Sequence, residues 1–326
     1  MASHRQSKLY RNVWGLALAA GLLSVAFAPT TRAALIGHWD LEQGSGTTAF
    51  DQSTTGNDGT FVNTPTWQTS GLAPVPSGTT ADLEFSGEVG DDDAGDNDED
   101  YVSIPANSAY DFGTSTDFSV ACWINTTAAA TQNPIGQGDA ANASGGEHWE
   151  LIVTDAGYLA AFIDDGSNTE HIGGPTFDSN DGPQVNDGQW HHIAVTFDRD
   201  GNAIRYIDGS AVNEAVDISS VGDISNDEIL AIGQRGNVAG FPYDSPFDGR
   251  IDDVRLYDEV LTAEEVSGLA IIPEPTSLVL LGLGVATLLG RRRCRGAGLA
   301  HAGAPREVRR GCAAIMPHRS NYAAPQ

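Results

Sequence analysis

The stretch FDGRIDDVRLYDEVLTAEEV, Phe247 to Val266, constrains the fold more than any other part of the chain. Between Phe247 and Tyr257 its residues alternate with the period of two that marks a strand. Ile251, Asp253, Arg255 and Tyr257 fall on one face, and Asp252, Val254 and Leu256 on the other. The period then changes. Thr262 is followed three residues later by Glu265, a capping-box pair that can satisfy the first free amides of a short helix, with Val266 and Leu269 left to pack.

Upstream the same strand signal recurs at short spacing. Leu35–Glu42, Ala81–Ser86 and Tyr101–Ile104 read as strands, and Asp117–Asn125 places Phe118, Val120, Cys122 and Ile124 on one apolar face. Two hairpins follow. Trp149–Thr154 and Tyr158–Ile163 are joined through Asp155-Ala156-Gly157, and Trp190–Asp198 and Ala203–Asp208 through Arg199-Asp200-Gly201-Asn202. Glu228–Gly233 leads through a Gly-rich loop to the strand at Phe247–Tyr257. With no amphipathic helix longer than two turns, this spacing predicts an all-β protein, a single sandwich of two antiparallel sheets with short terminal helices outside the core.

The two ends do not belong to that fold. Met1–Arg11 is basic, Val13–Ala28 is apolar, and Thr31-Arg32-Ala33 puts small residues at the −3 and −1 positions, so residues 1–33 read as a signal peptide cut after Ala33. The folded domain is then 34–270. Of the chain's 44 acidic residues only Glu274 and Glu307 lie outside that span, which holds five arginines and no lysine, for a formal charge of about −37. Such a charge excludes nucleic acid and anionic lipid as partners. Cys122 is the only cysteine in the span, so no disulfide can form within it, and its apolar neighbours mark a buried, inert thiol.

At the other end Pro273-Glu274-Pro275 precedes SLVLLGLGVATLLG and Arg291-Arg292-Arg293. This order resembles the PEP-CTERM sorting signal of bacteria, here residues 271–295. The resemblance implies export, a short membrane helix with its arginines on the cytoplasmic side, processing by an exosortase-type peptidase, and delivery to the cell surface or extracellular matrix. Residues 296–326 continue past the arginines as a basic tail without core pattern, either a miscalled reading frame or a cytoplasmic extension.

The opening LIGHWDLEQGSGTTAFDQSTTGNDG carries Gly44, Gly46, Asp51, Asn57, Asp58 and Gly59 at the positions of a laminin-G-like motif, with Leu41 and Glu42 standing for its usual Phe and Asp. WHHIAVTFD followed by a Tyr206-Ile207-Asp208-Gly209 turn, and the closing GRIDDVRLY, fit the same pattern. The chain thus resembles the laminin-G-like and pentraxin-like jelly rolls of the concanavalin A-like group. That resemblance implies a non-catalytic binding module for extracellular glycan or matrix, with a purely structural adhesion protein and a polysaccharide-degrading enzyme as the other readings. It also implies a structural calcium tying the first strand to the last, with Glu42, Asp51 and Asp253 as ligands and Asp252 as alternate. Asp253 shares a face with Ile251 and so needs either a cation or a hydrogen-bonding partner. The acidic insertion between two strands, with Asp91, Asp93, Asp96, Asp98 and Asp100, is either a solvated loop or a weaker calcium site. In pentraxins acidic ligands follow an L/I-G-Q motif; here Ile232-Gly233-Gln234 is followed by Arg235-Gly236-Asn237, and that site does not carry over.

Catalytic signals are sparse. The E-x-D-x-(x)-E strand of the group's glycoside hydrolases does not occur. Glu147 and Glu150 are three apart, which sends them to opposite faces of a strand, and the adjacent His191 and His192 likewise diverge. Trp67, Trp123, Trp149 and Trp190 are the residues that could stack on sugars, although Trp123 and Trp190 lie within strand patterns. The ligand-binding residues are not defined by the sequence.

Overall fold

The structure is a computed structural model that describes residues 33–87, 99–138, 146–173, 182–236 and 245–271. The expected signal peptide, the sorting signal with its membrane helix, the basic tail and most of the acidic insertion lie outside these residues. Ala33, placed at the end of the signal segment, is described and is buried against Tyr257 and Leu261.

Two eight-stranded antiparallel sheets form the expected sandwich. The first runs in the order β14 (Ser210–Asp217), β13 (Asn202–Ile207), β12 (His191–Phe197), β7 (Phe118–Asn125), β16 (Asp248–Tyr257), β5 (Asp82–Ser86) and β4 (Thr66–Gln68), with β1 (Leu35–Trp39) also paired to β16. The second runs β11 (Thr169–Ile172), β10 (Leu159–Asp165), β9 (Glu147–Val153), β8 (Gln132–Gly138), β15 (Leu230–Ile232), β6 (Tyr101–Ile104), β3 (Gly59–Val62) and β2 (Thr48–Ala49). Both predicted hairpins are present, as β9–β10 and β12–β13. β8 has no counterpart in the sequence reading because QNPIGQG looks like a turn. Pro134 fits because the register shifts between Gln132 and Ile135, and its carbonyl accepts from Gly233 N–H at 2.8 Å.

The inner faces meet in one apolar core. Phe112, Phe118 and Phe197 stack with centroids 4.1 and 4.3 Å apart, and Trp149 tilts against Phe118 at 5.5 Å. Phe118, Val120, Cys122 and Ile124 all point into it, as their alternation requires. Burial pushes the Cys122 thiol well above its ordinary range, consistent with an inert side chain. The capping box is formed: Thr262 Oγ1 accepts from Glu265 N–H at 3.2 Å, and Glu265 Oε2 accepts from Thr262 N–H at 2.9 Å. The helix it starts, α1 (Ala263–Ala270), lays Val266 on the outer face of the first sheet against Ala194, Tyr206 and Tyr257.

Strict alternation fails within β16. Asp252 pairs with Trp123 and Arg255 with Ala121, so two residues of β16 oppose Cys122 alone, and Asp253 takes φ +48°. This β-bulge reverses the faces beyond it: Ile251, Val254 and Leu256 reach the core together, while Tyr257 packs outward beneath α1. The predicted faces therefore hold only up to Asp252.

Truncating the middle of the aromatic stack tests this core. Phe118→Ala should cost roughly 3–5 kcal/mol of unfolding free energy, read as a lower urea midpoint at unchanged slope.

Candidate functional site

The residues expected to hold calcium are not brought together. Among the described residues no group of three or more His, Cys, Asp or Glu side chains is placed to bind a metal. Asp51 organises its own loop. Its Oδ1 accepts from the His38 and Ser53 amides at 2.9 and 2.8 Å, and its Oδ2 from Ser53 Oγ and Asn57 N–H at 2.9 and 2.8 Å. Asp58 accepts from Asp51 N–H at 2.9 Å, so the motif residues of the opening segment build a turn. Glu42 Oε2 accepts from Thr80 N–H and Oγ1 at 2.6 and 2.5 Å. Asp100 Oδ1 accepts from Thr64 N–H at 2.7 Å. Asp91, Asp93, Asp96 and Asp98 lie outside the described residues.

Asp253 is paired within the protein, one of the two outcomes its position allowed. Its Oδ1 lies 2.8 Å from His38 Nε2 and 2.9 Å from Arg255 Nη2, and Arg255 Nε donates to both oxygens at 3.0 and 3.1 Å. These partners hold the carboxyl below its ordinary value despite burial. The side-chain tie between first and last strands is thus the His38–Asp253 contact, with Arg255 of the last strand holding the same carboxylate. Asp252, on the other side of the bulge, accepts from Asp253 N–H at 2.8 Å and is otherwise buried. Burial, reinforced by Asp253 and Asp82, pushes its carboxyl up to about 8, so it is mostly protonated at neutral pH.

Of the four tryptophans considered for sugar stacking, Trp123 and Trp149 are buried and Trp67 and Trp190 are half-buried. Trp149 is core, Trp123 is covered by Ala73 and Val75, Trp67 packs on Phe61, and Trp190 packs beside Trp123 with Arg250 over its ring at 5.4 Å. A cavity of about 420 Å³ lies on the first sheet's outer face between α1 and Pro76, but Arg255 at its wall is already committed to Asp253.

The richest chemistry lies on the outer face of the second sheet. Core-facing Trp149, Leu151, Ala161 and Ile163 send the alternate residues outward, and the register lines up Ala231, Gly136, Glu150, Phe162 and His171 across five strands. His148 and Asp164 pair in the next outward row. Phe162 stacks on His148 with centroids 4.9 Å apart and meets the edge of His171 at 4.6 Å. Glu150 Oε2 accepts from Asn133 Nδ2 at 3.0 Å and is 3.0 Å from Arg235 Nε. Gly136 makes this possible, since a Cβ there would lie only 3.3 Å from the Arg235 Cα and 3.1 Å from the Glu150 Cβ. Asp164 accepts from Gly166 N–H at 2.6 Å and from the Thr169 hydroxyl. Burial lowers the His171 pKa against the pull of Glu170, Asp164 and Glu150, so this ring is neutral at pH 7. Glu147 and Glu150 are on opposite faces, as their spacing requires.

The sequence does not group Phe162, Asp164, His171 and Arg235. The signal was weak: Phe162 is the one aromatic on the outward phase of LAAFIDD, and only the β9–β10–β11 register shows that two histidines flank it.

Two antiparallel sheets packed around one core make a β-sandwich of the concanavalin A-like kind. The chain belongs to the concanavalin A-like lectin/glucanases superfamily, whose laminin-G-type model matches residues 96–267. A PEP-CTERM protein-sorting motif matches residues 272–293, which marks the chain for export and for a surface or extracellular location in a bacterium, with exosortase processing. Rat "Sushi, von Willebrand factor type A, EGF and pentraxin domain-containing protein 1" is 37% identical over 91 residues, 27% of this chain and 3% of that protein. Human neuronal pentraxin-2 is 32% identical over 89 residues, 26% of this chain and 21% of that protein. The chain therefore spans only 3% to 21% of the length of these relatives. Among solved structures, the binding domain of Paraclostridial Mosquitocidal Protein 1 has a TM-score of 0.50 at 16% identity, over 73% of this chain and 52% of that one. Domain 4 of AbnA, a GH43 extracellular arabinanase from Geobacillus stearothermophilus solved with arabinotriose, has a TM-score of 0.49 at 18% identity, over 73% of this chain and 99% of that one. At such identities the likeness is one of fold.

Two substitutions separate the adjacent aspartates. Asp253→Asn should cost roughly 2–4 kcal/mol, with or without a chelator, because it leaves Arg255 without its counter-charge. Asp252 binds a proton in the folded state that the unfolded chain releases near pH 4. Wild-type stability should therefore fall between about pH 4 and pH 8 as this group is forced to ionise or stay protonated, and level off above. Asp252→Asn should remove that slope and stabilise the protein at pH 8 by a few kcal/mol, as read by urea unfolding across pH.

Proposed function

We propose that this protein is an exported, surface-sorted, non-catalytic binding module that recognises an extracellular glycan, of matrix or exopolysaccharide, on the outer face of its second sheet. The observation that carries the reading is the ring of Phe162 between His148 and His171. An aromatic ring flanked by polar groups is the usual means of holding a sugar, whose C–H faces pack on the ring while its hydroxyls reach the flanks. Glu150 on the same face is clamped by Asn133 and Arg235, which suits an orienting acceptor better than a general acid or a nucleophile. The family includes lectins and glucanases, and its fold alone does not choose between them. Calcium enters this proposal only through Asp91, Asp93, Asp96 and Asp98, since Glu42, Asp51, Asp100 and Asp253 accept hydrogen bonds within the protein.

A glycan array probed with the exported protein, with and without chelator, tests the reading. Binding to at least one extracellular glycan is expected, reduced about tenfold by Phe162→Ala through the loss of ring stacking. Equal binding in chelator removes calcium from the proposal. Silence toward every glycan points instead to a structural adhesion protein, and release of new reducing or unsaturated ends from a bound polymer to a degrading enzyme.

A further inference from the structure

The backbone contacts at the start of β1 bear on what export does to this chain. We propose that cleavage after Ala33 creates an ion pair that the uncut chain lacks: the α-ammonium of Ala34, the one primary amine left in the exported protein, seats on the Asp258 carboxylate just beyond the last strand. The inference rests on the signal-peptide reading of residues 1–33.

With the Ala33–Ala34 bond intact, the Ala34 amide donates to Asp258 Oδ1 at 3.2 Å, and the Asp258 amide donates to the Ala34 carbonyl at 3.2 Å. The pairing continues with Leu35 opposite Tyr257. The Ala34 nitrogen is therefore positioned by its own carbonyl and by the residues after it, which a cut on its other side leaves in place. Ala34 is exposed and Asp258 half-buried. Ala33, in contrast, is 6% exposed and packs with Tyr257 and Leu261, so a peptidase reaches the bond before the domain folds and the pair forms on folding.

Hydrolysis of the bond consumes one water, leaves a carboxylate on Ala33, and leaves on Ala34 an amine that is protonated at neutral pH, since a free α-amino group titrates near ~8. A neutral donor facing Asp258 thus becomes a charged one, and charge-assisted hydrogen bonds are roughly twice as strong as neutral ones. Arg255, Tyr257 and Glu265 line the neighbouring cavity with Ala33. Of these, Arg255 is held by Asp253 and Glu265 by the Thr262 amide, so neither competes for the new pair. The chain's only lysine, Lys8, departs with the signal segment, so the chain cut after Ala33 holds a single primary amine. A cut after Ala28 would instead begin the protein at Pro29, a secondary amine, and leave no primary amine at all.

The exported protein tests this through its intact mass and its reaction with a label specific for primary amines. A chain beginning at Ala34 that takes up one label is expected. At pH 7 and moderate salt, which screens the distant carboxylates, the folded protein should label about threefold more slowly than the same protein unfolded in guanidinium, a factor equivalent to about half a pH unit in the amine's titration. Asp258→Asn should remove that difference. The pair's contribution to stability should be full below about pH 8 and fade above it, as the amine loses its proton. A chain beginning at Pro29 overturns both the cut after Ala33 and the pair. A chain beginning at Ala34 that labels equally fast folded and unfolded, or whose slow labelling ignores Asp258→Asn, overturns the pair and leaves the cut standing.

Discussion

The bulge at Asp253–Val254 is the constraint on which the first sheet depends. β16 is its hub, paired with β7 along one edge and with β5 and β1 in succession along the other. One extra residue lets the strand serve all three while keeping Ile251, Val254 and Leu256 in the core. The bulge is secured on both sides. Asp252 takes the amide of Asp253, and Asp253 binds His38 of β1 and Arg255 of its own strand. Asp253 thus joins the first and last strands of this sheet through His38.

That arrangement separates the roles of the two sheets. The first sheet's outer face is closed by α1 on one side and by Ala73 and Val75 over Trp123 on the other. Its polar groups serve packing, and burial keeps His192 neutral with a pKa lowered to about 4. On the second sheet, Phe162 and His171 remain half-buried above a layer of engaged polar groups. Most of the polar groups beneath them are fixed by one another, Glu150 by Asn133 and Arg235 and Asp164 by Gly166 and Thr169.

Several elements could be read directly. The inward phase of β7, the two hairpins, the capping box and the opposite placement of Glu147 and Glu150 all depend on local periodicity, and the structure agrees with each. β8 could not be read, because Pro134, Gly136 and Gly138 are turn residues by propensity and strand residues only through pairing with β9 and β15. The tryptophans misled for a related reason: alternation says that Trp149 points opposite to Glu150, but not which of those faces is the core.

What the sequence by itself determined is the class of the protein: an acidic, disulfide-free, all-β domain followed by a sorting motif. These follow from composition and short-range periodicity, which need no knowledge of which strands are neighbours. What only the tertiary structure decided is the use of the carboxylates and which side chains meet on the second sheet's outer face. Asp253 finds His38 from 215 residues away, and Phe162 gains its histidines from two other strands. Partners so distant in sequence leave no periodic trace, because their meeting is set by sheet register and by a single bulge that alternation cannot anticipate.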